Sequence, residues 1–229
     1  MLTRRSFAAL GAVAGLSACA RPVPTPPTPT PAAPPPIPPL PAFYHAIEGE
    51  PFPIPALPEG ALPPDLWRQD VPNPFPDRVP GTIVVDPDAA VLHFIATSDR
   101  ATRYGVSVGA AGFAWDGVAR LQFRRTWPRW KVPEEMIDRQ PDLAAYSVAN
   151  GGMDPGPGNP LGARALYLFQ NGEDTLYRIH GDARPEHLGK AVSSGCIRML
   201  NHDVIDLYDR ALHGCDVVVL PSLRQSSLY

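Results

Sequence analysis

Short apolar or alternating runs, bounded by Gly, Pro or Asp, follow one another along the chain from Gly81 onward. They include TIVVD, AVLHFIA, RYGVSVG, VARLQFRRTW and CDVVVLP, whose lengths and boundaries are typical of β-strands. Two further runs, RALYLFQ and TLYRIHG, flank Asn171 and Gly172, a dipeptide that favours a two-residue hairpin turn. The pattern therefore predicts a mainly β domain.

One stretch has helical spacing instead. In NHDVIDLYDRALHG the apolar positions recur every three or four residues, which predicts a helix with Asn201 as its N-cap and Gly214 as its stop. The apolar face would consist of Val204, Leu207, Tyr208, Ala211 and Leu212. We expect one or two short helices in a single domain over residues 81–222, followed by a tail over residues 223–229.

Proline dominates the chain upstream of that domain. It fills more than half of the positions from Arg21 to Pro41, so residues 19–42 are expected to form an extended stalk that reaches about 60 Å at ~3.1 Å per residue. Residues 43–80 remain proline-rich but also carry aromatic side chains. We expect them to lie irregularly over the folded domain.

The first eighteen residues have the layout of a signal peptide, with basic residues ahead of an apolar run that is shorter than the ~20 residues of a membrane span. TRRSFA resembles a twin-arginine export signal, with Arg4 and Arg5 as the pair. LSAC resembles a bacterial lipobox, which would make Cys19 a lipidated first residue of the mature chain. We therefore expect an exported, periplasmic protein, tethered to a membrane by a lipid at Cys19.

Charge and motifs exclude several functions. The formal net charge is −3, and removal of Arg4 and Arg5 with a signal peptide would make it more negative, which disfavours binding to a phosphate backbone. The sequence has no glycine-rich phosphate loop and no CxxC pair. Nucleotide and nucleic-acid binding are therefore poor explanations of this chain.

The candidate chemistry is centred on Cys196, in the stretch AVSSGCIRM. A cysteine nucleophile needs a base, and His180 ends a strand upstream on the same face as Arg178, which is unsuited to a core. Gly181 would permit a sharp turn after His180, and the amides of Gly195 and Cys196 are natural oxyanion donors. Arg198 would lie on the same side as Cys196, where it would hold a carboxylate or keep the thiolate ionised.

Each of these residues also has an ordinary structural explanation. A lone cysteine commonly serves as a small apolar side chain, a histidine at a strand end is commonly structural, and Arg198 would be equally at home in solvent. Trp127, Trp130 and Tyr146 would line a cleft or belong to the core. Cys215 is expected to pack in the final strand, and we reject a disulfide with Cys196 unless their Cα atoms lie within about 7 Å.

The combination resembles a known family. His180-Gly181, Gly189 and SSGCIRM, followed by a helix that contains Asp, are similar to the motif of the YkuD-type L,D-transpeptidases, in particular the ErfK and YbiS branch. TWPRWKVPEEMI and NPLGARALYL resemble other segments of the same family in the same order. The similarity extends from Gly81 to Leu220 and implies a mainly β catalytic domain, sandwich-like or barrel-like, with one or two short helices.

The resemblance also implies roles. Cys196 would be the nucleophile and His180 the general base, oriented here by the backbone of Gly181. Arg198, Ser193 and Ser194 would bind carboxylates of a peptidoglycan stem peptide, and Trp130 would line the cleft. Many members have a histidine where this chain has Ser194, so that position lacks any auxiliary role of an imidazole. No metal or organic cofactor is implied, and the spacing of His187 and His202 does not resemble a zinc site.

Three functions remain open at this point. The first is a transferase that cross-links stem peptides or attaches a protein to them through an acyl-enzyme. The second uses the same thiol chemistry with water as acceptor, which gives a carboxypeptidase or an amidase. The third is a lipid-anchored protein that binds the wall without catalysis, although such a protein would not need the arrangement of His180, Gly195, Cys196 and Arg198.

Overall fold

The structure is a computed structural model, and it describes residues 38–109, 115–181, 184–193 and 196–222. Two α-helices lie in these ranges, α1 (Glu134–Arg139) and α2 (Asn201–Arg210), and no helix there is long and apolar enough to span a bilayer. The strands of the described ranges are β1 (Gln69–Pro72), β2 (Ile83–Asp86), β3 (Val91–Ile95), β4 (Arg100–Gly105), β5 (Val108–Gly109), β6 (Gly117–Thr126), β7 (Arg164–Gln170), β8 (Glu173–His180), β9 (Ala191–Ser193), β10 (Ile197–Arg198) and β11 (Asp216–Val219).

Nine of these strands form one mixed sheet, in the order β1-β4-β3-β2-β11-β6-β7-β8-β10. Most neighbours are antiparallel, but β11 runs parallel to β2 and β10 runs parallel to β8. The other two strands, β5 and β9, form a small parallel sheet. Along the chain, Cys196 therefore comes after β9 of the small sheet and directly before β10, at the edge of the large sheet.

The hairpin of β7 and β8 forms where the sequence predicts it. Asn171 and Gly172 both have positive φ, 53° and 84°, as a two-residue turn of type I′ requires. The turn places Gln170 opposite Glu173. The register shifts between Tyr167 and Phe169, and beyond the shift Ala165 lies opposite His180, where β8 ends.

The sheet packs apolar side chains on both faces. Ile83 and Val85 of β2 enter the largest hydrophobic cluster, whereas Val84, between them, packs in another cluster with Ile95 and Val218. Side chains from both sheets and from α2 meet in the largest cluster. The prediction of a mainly β domain with one or two short helices is confirmed for the described residues.

Helix α2 begins and ends differently from its prediction. Leu200 occupies the N-cap position and no side chain caps the helix, because the Asn201 side chain accepts a hydrogen bond from the Ala163 amide at 2.9 Å instead. The helix ends at Arg210, and Arg124 donates to the carbonyls of Tyr208 and Ala211 at 2.6 and 2.7 Å. The prediction of an Asn201 cap and a stop at Gly214 was wrong, and Leu212 is accordingly exposed.

Residues 43–80 are more ordered than predicted. β1 adds to the edge of the large sheet by pairing with β4, and Tyr44 and Leu62 are fully buried. Residues 38–68, which we call the strap, pack their apolar side chains against Leu188 and Leu200, on either side of Cys196 in the chain. Residues 43–80 therefore pack within the same compact unit as residues 81–222.

Candidate active site

Two parallel strands bring Cys196 and His180 together. Arg198 of β10 lies opposite His180 of β8, Ile197 lies opposite Ile179, and the Met199 amide donates to the His180 carbonyl at 2.8 Å. Residues two apart on a strand share a face. Cys196, directly before β10, therefore projects to the same side as Arg198 and His180, and all three line one cavity.

Gly181 is required here by close packing. Its φ lies outside the left-handed region, so the sharp turn expected from the sequence does not explain the glycine. A Cβ at this position would collide with Oδ1 of Asn201. The missing side chain lets the start of α2 approach the end of β8, next to His180.

A backbone carbonyl orients the His180 ring. Nδ1 lies 2.9 Å from the Gly181 carbonyl oxygen, and because that oxygen can only accept, Nδ1 carries the proton. The second ring nitrogen, Nε2, is then the basic one. Burial, followed by the charge of Arg198, lowers the pKa of His180 to about 3.

The thiol is also held in its uncharged form. Burial raises the pKa of Cys196, and this outweighs the lowering by the backbone amide of Arg178 and by the charges of Arg178 and Arg198. With the histidine pKa lowered, the resting pair is a neutral thiol and a neutral imidazole. From this resting state, nucleophilic attack by Cys196 would require transfer of the thiol proton to a base, and His180 lines the same cavity.

Two arginines near the thiol differ in their partners. Arg178 is bound by both oxygens of Asp174, at 2.6 and 2.7 Å, and lies over the Tyr167 ring. Arg198 forms no salt bridge with a described residue, and its buried Nε has no hydrogen-bond partner there. Its backbone is fixed by paired hydrogen bonds with Ser107. Arg198 is thus a positioned cation with capacity to bind an anion.

The cavity has a volume of about 370 Å³, which is within the range of small-molecule sites. One wall comes from α1 and the chain around it, and the opposite wall from β8 and the residues before β7. Its remaining lining residues are Trp130, Pro133, Glu135, Met136, Arg139, Gln140, Leu143, Pro160, Leu161, Thr175, Leu176 and Tyr177. The lining is largely apolar, with charged side chains next to the thiol (Arg198) and along α1 (Glu135 and Arg139).

Comparison with known proteins identifies the domain. Residues 80–220, more than half of the chain, match the family model of YkuD, the L,D-transpeptidase catalytic domain. The chain belongs to the L,D-transpeptidase family.

Curated relatives carry the same family name. A putative L,D-transpeptidase YkuD of Bacillus licheniformis is 45% identical over 118 residues, which cover 52% of this chain and 66% of that protein. A probable L,D-transpeptidase ErfK/SrfK of Escherichia coli K12 is 31% identical over 153 residues, 64% of this chain and 46% of that protein. The chain thus spans less than two thirds of the length of these relatives.

A solved structure from Brucella melitensis, described as a probable carnitine operon oxidoreductase, is 48% identical to this chain. The similarity covers 69% of this chain and 95% of that one, with a TM-score of 0.47. That description concerns the Brucella protein, and the assignment of the family here depends on the domain match.

Of the three aromatic residues suggested for the cleft of this L,D-transpeptidase, one lines the cavity. Trp130 does so, with the Tyr146 ring behind it at 6.2 Å. Trp127 is buried away from the cavity and donates to Glu50 at 2.7 Å. Gly195, Ser194 and the Ser193 side chain lie outside the described residues, so their suggested roles stay predictions.

Tyr177 is a cavity residue that the strand pattern missed. Alternation places it on the face of Ile179, and its side chain packs against the main core while it also lines the cavity. Next to it, Leu176 has φ of 62° and its amide donates to the Asp174 carboxylate at 2.9 Å, so the strand is irregular here. Burial and the neighbouring Cys196 raise the pKa of Tyr177. The Asp two residues before Leu176 is the sequence signal of the irregular backbone.

Cys215 and the two histidines considered for a zinc site, His187 and His202, lie outside the cavity that contains Cys196. Cys215 is a thiol that packs against the main core, and burial raises its pKa to about 11. His202 is buried and bonds to the His45 carbonyl at 3.0 Å, and His187 belongs to a short 3-10 turn. Among the described residues, no group of three or more His, Cys, Asp or Glu side chains is arranged to hold a metal ion.

Proposed function

We propose that this protein is an L,D-transpeptidase that acts through an acyl-enzyme on Cys196, with a peptidoglycan stem tetrapeptide as donor. The observation that carries the proposal is the meeting of Cys196, His180 and Arg198 in one cavity of an L,D-transpeptidase domain. Cross-linking of stem peptides, or attachment of a protein to them, would be the outcome.

In the first step the Cys196 sulfur attacks the carbonyl carbon of the third stem residue. The thiol proton passes to Nε2 of His180, while Nδ1 remains bonded to Gly181. As the tetrahedral intermediate collapses, the bond to the terminal D-alanine breaks and His180 returns the proton to the departing amine. The product is a thioester on Cys196 and a free D-alanine.

In the second step an amine attacks the thioester. His180 accepts a proton from the amine, an amide bond forms, and the Cys196 thiol is restored as the C–S bond breaks. The acceptor would be the side-chain amine of a neighbouring stem or a lysine of a partner protein. Water in the same place would release a shortened stem, which is the carboxypeptidase or amidase outcome.

Arg198 is proposed to bind a carboxylate of the donor. A guanidinium forms strong paired hydrogen bonds with a carboxylate, and Arg198 is fixed by its backbone and lacks an acidic partner among the described residues. Trp130 would pack against the apolar part of the stem from the opposite wall. Arg198 and Trp130 together would set the orientation of the donor peptide in the cavity and how far the peptide enters it.

The experiment is analysis of wall fragments after incubation of purified protein with tetrapeptide-containing muropeptides. Dimers with an L,D-linkage support transfer, whereas shortened monomers alone would replace transfer by hydrolysis. If Cys196→Ala yields the same products as the parent and Cys215→Ala is likewise unchanged, the thiol mechanism is wrong. Cys215→Ala is the matched control because it removes the other thiol of the described domain.

We also propose export and lipid anchoring at Cys19, which rest on the sequence of residues 1–20. Expression of the full chain in a bacterium with labelled fatty acid would test the proposal. Label should enter the parent but not Cys19→Ala, and the mature chain should begin at residue 19. A parent chain without label would contradict the anchor.

A further inference from the structure

A second cavity, with a volume of about 310 Å³, lies against the outer face of β6 and β7. None of its lining residues contributes to the cavity that contains Cys196. It is lined by Phe123, Arg125, Pro128, Arg129, Lys131 and Tyr167. The cavity thus combines three cationic side chains with two aromatic rings, although the chain as a whole has a net charge of −3.

The two cavities share a wall. The chain between β6 and α1 is extended, with bridges from Trp130 to Met153 and from Val132 to Ser147. Side chains of extended backbone alternate between its two sides. Trp130 lines the catalytic cavity, whereas its neighbours Arg129 and Lys131 line the second one. One short segment therefore separates the two sites.

The cations of the second cavity differ in how far they are neutralised. Arg129 pairs with Asp154 and also lies near the Gly151 and Gly152 carbonyls. Arg125 and Lys131 are exposed and form no salt bridge with any described residue. These two side chains have unused charge that is suited to a carboxylate.

The aromatic residues offer a flat surface beside those charges. Phe123 is 45% exposed, unusual for a large apolar side chain, and its ring meets Phe169 edge-on at 5.4 Å. The Arg125 guanidinium lies 5.9 Å from the Phe123 ring centre. The Arg178 guanidinium lies over the Tyr167 ring, 4.3 Å from its centre.

We propose that the second cavity is a peptidoglycan subsite that binds a carboxylate of a second stem peptide, next to the stem in the catalytic cavity. The proposal rests on the proposed function, because it takes the wall polymer as the substrate. Arg125 and Lys131 bind the carboxylate, and the rings of Phe123 and Tyr167 pack against its peptide or sugar. A polymer held on both sides of residues 128–133 presents its neighbouring stem close to Cys196.

A binding measurement tests the subsite independently of turnover. Isolated sacculi are mixed with Cys196→Ala protein, with and without Arg125→Glu and Lys131→Glu, and the sedimented fraction is measured. The acidic pair should weaken binding about tenfold at low salt, and the difference should shrink as salt screens the charges. The control pair is Arg78→Glu and Arg100→Glu, which makes the same charge change at exposed arginines outside both cavities.

Kinetics of the parent Cys196 protein with the same pairs provide the second measurement. The KM for sacculi should rise about tenfold with the acidic pair at Arg125 and Lys131, while kcat/KM for a small soluble tetrapeptide stays unchanged. Equal sacculus binding by the acidic pair and the control pair would overturn the subsite. Binding to vesicles of anionic phospholipid is measured in parallel. A loss of binding by the acidic pair that occurs with these vesicles and not with sacculi would also overturn the subsite, and would make the second cavity a membrane contact. Absence of turnover with the binding difference intact would instead overturn the proposed function alone.

Discussion

Two clusters of buried ionisable side chains flank the junction between β10 and α2, and burial favours the uncharged forms in both, although their surroundings differ. Cys196 and His180 face an open cavity and are both held neutral by burial. Asp203, in the first turn of α2, is fully buried but is surrounded by polar groups of the strap. Its pKa is raised by burial to about 7, and Arg68 and Tyr44 limit that rise.

The difference lies in the partners. The Tyr44 hydroxyl donates to Asp203 at 3.1 Å and accepts from the Arg68 amide at 2.8 Å, and the Arg68 side chain lies 3.9 Å from Asp203 and 3.0 Å from Asp206. Oδ2 of Asp203 thus has a hydrogen-bond donor within the protein, whereas its Oδ1 has no hydrogen-bond partner among the described residues and faces only the Arg68 charge. Cys196 and His180 instead line the cavity, where a substrate would meet them. In the Asp203 cluster, the buried groups bond to the strap and hold it against α2. At the cavity, burial keeps the thiol and the imidazole uncharged at a place where a substrate would bind.

The largest effect should come from removing either member of the catalytic pair. Cys196→Ala should lower turnover of a tetrapeptide donor by at least ~10³-fold and His180→Gln by about 10²–10⁴-fold, since each performs a step that the other cannot. Turnover is measured by release of D-alanine. Asp203→Asn, which changes the other cluster, should leave the rate within severalfold, and a loss as large as that of His180→Gln would erase the distinction between the clusters.

His180 and Asp203 should change the pH dependence of the free energy of unfolding in opposite directions. The pKa of His180 is lowered to about 3, so the unfolded chain binds more protons between about pH 3 and 6.5 and stability is lost as pH falls through that window. The pKa of Asp203 is raised to about 7, so the folded chain binds more protons between about pH 4 and 7 and stability is lost as pH rises through it.

Denaturant unfolding of the two variants across pH checks these signs. His180→Gln should remove the acid-side loss and Asp203→Asn the loss toward neutrality, each on the order of a few kcal/mol at most. A variant whose free energy of unfolding follows that of the parent at every pH would show that its residue has no shifted pKa. Slopes of the same sign for both residues would contradict the comparison.

Arg198 should have an intermediate effect. Arg198→Gln removes a charge-assisted contact of about 1.5–3 kcal/mol, which corresponds to roughly a 10–100-fold lower kcat/KM for a donor with a free carboxylate. A donor whose carboxylates are amidated should lose little of its kcat/KM on the same substitution. Equal losses with both donors would mean that Arg198 does not bind a carboxylate.

The smallest effect should come from Tyr44→Phe. The substitution keeps the ring in its buried cluster and removes one hydroxyl, so it should lower the free energy of unfolding by about 1 kcal/mol. Thermal unfolding measures the change, with Tyr208→Phe as a control tyrosine on α2. If Tyr44→Phe lowers the unfolding temperature no more than Tyr208→Phe does, the stability of the strap does not depend on the hydrogen bonds of the Tyr44 hydroxyl.

The strands and their turn could be predicted because local patterns determine them. Asn171 and Gly172 fix a hairpin through backbone conformation, and β2 and β11 have apolar runs that suit strands buried on both faces. The position of Cys196 beside His180 was predicted only in outline. Its register depends on parallel pairing of β8 with β10, which involves residues distant in sequence.

Long-range contacts account for the features that the sequence did not predict. The cap of α2 is absent because the Asn201 side chain bonds to Ala163, which is distant in the sequence. Strand β1 lies in a proline-rich segment whose partner, β4, supplies the pairing. Composition alone describes such a segment as irregular, since local propensity does not include the tertiary partner.

The central claim is that Cys196 attacks the donor, and intact-mass measurement tests it most directly. Purified protein is mixed with a stem tetrapeptide, without an acceptor, and the adduct is located by peptide mapping. We predict a mass increase equal to the tetrapeptide less its terminal D-alanine, located on Cys196, present in Cys215→Ala and absent in Cys196→Ala. An adduct that persists in Cys196→Ala, or a parent protein that stays unmodified while it consumes the donor, would contradict the account.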